Sequence, residues 1–125
     1  MFKGNDAFSG FSVDDLAKAK EFYGKTLGVE VEDSHMGLRL KVGGGKGIFI
    51  YPKEDHQPAT YTTLNFVVDD IDKAVEELKA KGVSFEKYDM TDDKNIARGL
   101  AAKRGPDIAW FKDPAGNILS VLQES

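Results

Sequence analysis

Residues 12–31 and 67–85 are two copies of one pattern. The first reads SVDDLAKAKEFYGKTLGVEV, the second VVDDIDKAVEELKAKGVSF. Val13, Asp14, Asp15, Lys18 and Ala19 recur as Val68, Asp69, Asp70, Lys73 and Ala74. Gly28-Val29 recurs as Gly82-Val83, with the spacing one residue shorter. A repeat of this length builds a chain from two similar half-domains. Related halves commonly face each other across a shared cleft, and a cleft is where a small molecule binds.

Each copy opens in the same way. Phe8 to Val13 alternates and reads as a strand; Asp14 and Asp15 then supply N-cap oxygens for a helix. Leu16, Ala19, Tyr23 and Leu27 give that helix its apolar stripe, and Gly28 ends it. Val29 and Val31, then Leu38, Leu40 and Val42, predict two short strands, and Ile48 to Tyr51 a third. Gly43 to Gly47 joins two strands and opens no helix, so it is a hairpin turn and not a phosphate loop. The polar, proline-bearing residues 53–61 read as a linker between a first module of about 1–52 and a second of about 62–125.

The second module repeats the order. Thr62 to Val68 is a strand, Asp69 or Asp70 caps a helix carrying Ile71, Ala74, Val75 and Leu78, and Gly82 ends it. Val83, Phe85 and Tyr88 are expected on the next strand, Ile108 to Lys112 on another, and Asn117 to Gln123 on the last. Asp113-Pro114-Ala115-Gly116 is a β-turn. Residues 89–107 have no counterpart in the first half and are longer than a hairpin needs. They read as a surface loop, or as a lid carrying Arg98 or Arg104. The fold class expected is α+β: two tandem βαβββ modules forming a curled mixed sheet around a central cleft.

At 125 residues the chain has the usual size of one domain. It has no cysteine, which removes disulfides, thiolate metal sites and thiol nucleophiles. With no apolar leader pattern at the N-terminus, a cytoplasmic location is expected. No run of about 20 apolar residues exists to span a bilayer. A formal net charge of −4 with three arginines is a poor match to nucleic acid.

The motifs Val13-Asp14-Asp15-Leu16, Phe22-Tyr23, Leu27-Gly28, Val68-Asp69-Asp70-Ile71 and Trp110-Phe111-Lys112-Asp113-Pro114-Ala115-Gly116-Asn117 resemble the vicinal oxygen chelate superfamily. That group holds glyoxalase I, bleomycin- and fosfomycin-resistance proteins and extradiol dioxygenases. The resemblance implies the paired βαβββ fold and a homodimer. It leaves the chemistry open, because the superfamily hosts unrelated reactions.

Metal-dependent members carry His, Gln or Glu on four cavity strands. Aligned on the helix openings and the last turn, those positions fall at Phe8, Thr63 and Ser120, with the fourth on Ile48–Tyr51. No register there offers imidazole or carboxylate, and hydroxyls are poor ligands for Zn²⁺ or Fe²⁺. His35 and His56 read as solvated loop residues. The expectation is therefore no metal and no cofactor.

Alternation extends the cavity-facing set to Phe8, Gly10 and Ser12, to Thr63, Asn65 and Val67, and to Ile118, Ser120 and Leu122. Their outward neighbours Phe11, Val13, Leu64, Phe66, Val68, Leu119 and Val121 are strongly apolar, as strands packed on helices require. Asn65 is unusual in a strand and has a hydrogen-bonding task, either to a neighbouring strand or to a ligand. Trp110 is a core residue or a stacking surface, and Arg39 is an exposed strand arginine or an anion contact. Tyr51, Tyr61 and Tyr88 are rim candidates. The candidate ligand-binding set is Phe8, Ser12, Arg39, Thr63, Asn65, Trp110 and Ser120. No catalytic residue is assigned: neither Ser12 nor Ser120 is expected to have an adjacent base. The expected role is binding a small hydrophobic or amphipathic molecule. The alternatives are a glyoxalase- or dioxygenase-like lyase or isomerase with an atypical metal site or none, and an interaction domain whose cleft its own side chains fill.

Overall fold

The computed structural model describes residues 1–125. The chain divides into two compact units, residues 1–57 and 58–125. In the first, β1 (Ser9–Val13) leads into α1 (Leu16–Glu21), followed by β2 (Val31–Ser34), β3 (Gly37–Leu40) and β4 (Ile48–Pro52). In the second, β5 (Thr62–Val67) leads into α2 (Ile71–Ala80), then β6 (Ala97–Arg98), β7 (Asp107–Lys112) and β8 (Ile118–Gln123). Each unit forms its own four-stranded mixed sheet, ordered β1-β4-β3-β2 and β5-β8-β7-β6. The first strand of each pairs in parallel with the last, and the other pairings are antiparallel. The sequence repeat is thus a repeat of topology, the tandem βαβββ arrangement, and neither sheet closes into a barrel.

The helices start where the acid pairs place them. Asp15 accepts a hydrogen bond from the Lys18 N–H at 3.1 Å, and Asp70 accepts one from the Lys73 N–H at 3.2 Å. The second acid of each pair is the cap, a role worth about 1 kcal/mol. Both helices end in a left-handed glycine, Gly28 (φ 72°) and Gly82 (φ 92°). The first helix does not run regularly to Leu27, as the apolar spacing predicts. Phe22–Thr26 is a π-helical turn, closed by Leu27 N–H donating to the Phe22 carbonyl at 2.9 Å.

One face of each sheet carries the core. In the first unit Val13, Leu38, Leu40 and Ile50 are buried with Ala19 and Tyr23 from the helical segment. In the second, Ala109, Phe111, Leu119 and Val121 are buried with Ile71 and Val75 of α2. Of the outward set expected from alternation, Val13, Leu119 and Val121 thus lie in the core and Phe11 meets Tyr23, while Leu64, Phe66 and Val68 are half-buried.

Two expectations are corrected in the second unit. Val83, Phe85 and Tyr88 form no strand; only Phe85 bridges to β7, at Phe111. The edge strand comes instead from the stretch expected to be a loop or lid. Asp92 accepts the N–H groups of Lys94 and Ile96, folding a turn with Asn95 at φ 68°. Ile96 is fully buried, and Ala97–Arg98 then pairs with β7.

Candidate functional site

The helix-free face of the first sheet is aromatic. Cross-strand partners share a face, so Gly10, Phe49 and Arg39 lie in one row and Ser12 and Tyr51 in the next. The Phe8 ring meets Phe49 edge-on at 6.5 Å, and Phe49 stacks on Tyr51 at 6.0 Å. The Arg39 guanidinium carbon sits 4.9 Å from the centre of the Phe8 ring and 5.5 Å from that of Phe49. Its Nη1 donates to the Lys46 carbonyl at 2.7 Å. Phe8 and Arg39 are thus brought together as candidates, and Phe49 joins them although the sequence reading did not single it out.

Ser12 has a neighbour that the sequence reading denied it. Its hydroxyl shares a 2.6 Å hydrogen bond with His56 Nδ1. His56 is therefore not a solvated loop histidine, and a base does stand beside Ser12. The cause is the parallel pairing of β1 with β4, which sets Val13 beside Pro52. Lys53 N–H then donates to the Val13 carbonyl, and His56 N–H closes a turn on Lys53, returning the imidazole to the end of β1.

On the helix-free face of the second sheet Asn65, Ser120 and Trp110 form one row. Ser120 is fully buried, and its hydroxyl donates to Asn65 Oδ1 at 2.5 Å. The neighbouring strand is thus the partner of Asn65, while its amide nitrogen donates to no protein group. Trp110 is only partly buried; it lies on this face and not in the core. Its Nε1–H donates to Thr62 Oγ1 at 3.1 Å, and Tyr88 packs edge-on against it at 5.3 Å. Thr62, Tyr61, Tyr88, Met90 and Trp110 line a shallow pocket of about 300 Å³.

Thr63 is displaced from its expected place. A bulge between Thr62 and Leu64 breaks the alternation, so Thr62 pairs across from Ile118 and meets Trp110. Thr63 Oγ1 instead donates to the Ile118 carbonyl at 3.1 Å.

Arg98 is anchored rather than carried on a lid. It donates to both Asp72 carboxylate oxygens at 2.9 and 2.7 Å and to Asp92 at 2.8 Å. Hydrogen bonding to Arg98 holds the Asp72 carboxyl below the usual aspartate value. Burial alone would raise Asp92, but Arg98 and two backbone N–H groups hold it down. A depressed carboxyl contributes stability above its unfolded value and loses it as pH falls. The second unit is therefore expected to weaken as pH falls from about 5 towards and below the ordinary aspartate range. Urea midpoints measured against pH should show this decline, and Arg98→Met should flatten it. An equally steep acid limb in Arg98→Met would contradict the assignment.

No three His, Asp or Glu side chains converge as a metal cage. Of the positions where metal-dependent relatives are expected to carry ligands, Phe8 holds a phenyl ring and Ser120 a hydroxyl donating to Asn65, while the bulge takes Thr63 out of its row and leaves Thr62, whose hydroxyl accepts from Trp110. This donor set does not fit a divalent ion.

The glyoxalase/bleomycin resistance protein/dioxygenase superfamily model matches residues 8–121. The chain belongs to that superfamily. Among solved structures, a member of this superfamily from Sphaerobacter thermophilus is 26% identical, with a TM-score of 0.68 over 95% of this chain and 97% of that one. The fosfomycin resistance protein FosX from Listeria monocytogenes superposes with a TM-score of 0.72 at 18% identity, covering 98% and 94%. TnmS3, an antibiotic binding protein from Streptomyces, gives 0.67 at 23% identity, covering 98% of both. These last two likenesses show the superfamily's fold. No curated protein matches the sequence. No helix is long and apolar enough to cross a membrane.

Proposed function

We propose that this superfamily member binds a small hydrophobic or amphipathic organic molecule and does so without a divalent metal. The observation that carries the reading is the donor set: phenyl at Phe8 and committed hydroxyls at Ser120 and at Thr62, which the bulge puts in the row expected for Thr63, where a chelate would need imidazole or carboxylate. The helix-free faces instead offer aromatic rings and a few neutral polar groups, the mixture that suits organic ligands. Trp110, Tyr88 and Tyr61 supply ring surface on one sheet, and Phe8, Phe49 and Tyr51 supply it on the other. The role is nearest to that of antibiotic-sequestering relatives, of which TnmS3 is described as an antibiotic binding protein. The same reading places the protein in the cytoplasm as a homodimer, without nucleic-acid or membrane partners.

A thermal-shift screen of aromatic metabolites, antibiotics and glutathione adducts, run with and without chelator, tests this. A ligand that binds only the native state raises apparent stability. The expected result is a shift of equal size in both conditions. A shift that appears only on adding a divalent ion would overturn the proposal.

One observation favours a second reading, a metal-independent enzyme. Ser12 and His56 at 2.6 Å have the spacing of a nucleophile and its base. Turnover of a small ester that is abolished by both Ser12→Ala and His56→Ala would support that reading over sequestration.

A further inference from the structure

We propose that the helix-free face of the first unit holds a subsite for a planar aromatic carboxylic acid, with Arg39 taking the carboxylate and Phe8 and Phe49 taking the ring. This rests on the ligand-binding reading above and names the class of ligand.

The argument starts from where Arg39 spends its hydrogen bonds. A guanidinium has five N–H donors in a fixed fork. One goes to the Lys46 carbonyl, a neutral acceptor that orients the group without cancelling its charge. No carboxylate pairs with it. Glu32, directly opposite on β2, has its carboxylate 3.6 Å from Lys41 Nζ instead. Arg98 makes the contrast within the same chain, since Asp72 and Asp92 occupy its fork from two sides.

The surroundings add a ring-binding surface. Arg39 is already held over Phe8 and Phe49, so little rotamer freedom remains to be lost on binding. Phe8 is 52% exposed and offers ring surface to a ligand. Gly10, across from Phe49, leaves β1 bare between Phe8 and Ser12. A Cβ there would come within 2.7 Å of the Phe49 carbonyl oxygen, so this gap cannot be filled without moving backbone. Phe8 and Phe49 meet edge-on, so one ring can offer its face and the other its edge to an aromatic ligand, while the guanidinium fork beside them matches a planar carboxylate in two parallel bonds. A single guanidinium suits this monoanion better than a phosphate dianion. The net charge of −4 means that attraction for the anion is local to this fork.

The probes are 2-naphthoate and its uncharged counterpart 2-naphthylmethanol, titrated calorimetrically into the whole protein. The wild type should bind the acid about tenfold or more tightly than the alcohol, the usual scale for a charge-assisted bidentate contact. Arg39→Gln should bring the two within about twofold, and Phe8→Ala should weaken both by about five- to tenfold. In wild-type protein the Arg39 Nε–H resonance should move on adding 2-naphthoate, a readout that does not depend on any variant folding. Equal wild-type affinities, a preference that survives Arg39→Gln, or an unmoved Arg39 resonance would overturn the subsite. If the alcohol binds and the acid is not preferred, the subsite fails alone. If neither binds, the subsite fails, and the broader ligand-binding reading is decided by the thermal-shift screen instead.

Discussion

Tyr23→Ala is expected to cost the first unit about 3–5 kcal/mol, the range for deleting a buried aromatic ring. Tyr23 is fully buried, with Phe22 edge-on at 5.2 Å and Phe11 tilted against it at 6.3 Å. The ring thereby joins the helical segment to β1. Its backbone carbonyl also accepts the Val29 N–H at 2.8 Å, which closes the end of the π-helical turn. A cavity here cannot collapse easily, because the turn fixes the backbone on both sides. Urea unfolding should show a lower midpoint at an unchanged slope. Tyr23→Phe keeps the ring contacts and should cost clearly less than Tyr23→Ala. A loss below about 1 kcal/mol for Tyr23→Ala would mean that the ring does not hold helix and sheet together.

The second large effect lies in the turn between β7 and β8. Asp113→Ala is expected to destabilise the second unit by about 2–4 kcal/mol. One Asp113 carboxylate oxygen accepts the Ala115 and Asn117 N–H groups at 3.0 and 2.9 Å. The other accepts the Asn117 side-chain amide at 3.0 Å. Asp113 is 5% exposed and Asn117 2%, so water replaces little of this if the carboxylate goes. Leaving a buried donor unpaired costs more than the net worth of the bond it made. Asp113→Asn keeps one acceptor oxygen and should fall between wild type and Asp113→Ala. Denaturation that ranks Asp113→Ala at or above Asp113→Asn would contradict this account of the turn.

That turn also explains what the sequence could reveal. Asp-Pro-Ala-Gly-Asn is legible because one carboxylate organises its neighbours locally, and such chemistry survives in a single sequence. The caps Asp15 and Asp70 and the glycines Gly28 and Gly82 are local in the same sense. The sheet faces were legible because Leu119 and Val121 alternate with Ser120 along a regular ladder.

What was missed depends on contacts between distant residues. The bulge that replaces Thr63 by Thr62 beside Trp110 exists only in the pairing of β5 with β8. His56 reaches Ser12 because two strand ends 39 residues apart (Val13 and Pro52) lie side by side. The edge strand at Ala97–Arg98 lacks apolar alternation. Arg98 is held there by Asp72, 26 residues away. The π-helical turn hid in the helix because Leu16, Ala19, Tyr23 and Leu27 also fit a regular helical stripe.

On the proposed reading, the ligand is held by organic side chains and no ion is chelated. Elemental analysis of protein purified without chelator, followed by titration with Mn²⁺, Zn²⁺ and Ni²⁺, tests it most directly. Substoichiometric metal as isolated, and no saturable tight site for any of the three ions, is the expected result. One tightly held equivalent, whose removal abolishes ligand-induced stabilisation, would contradict it.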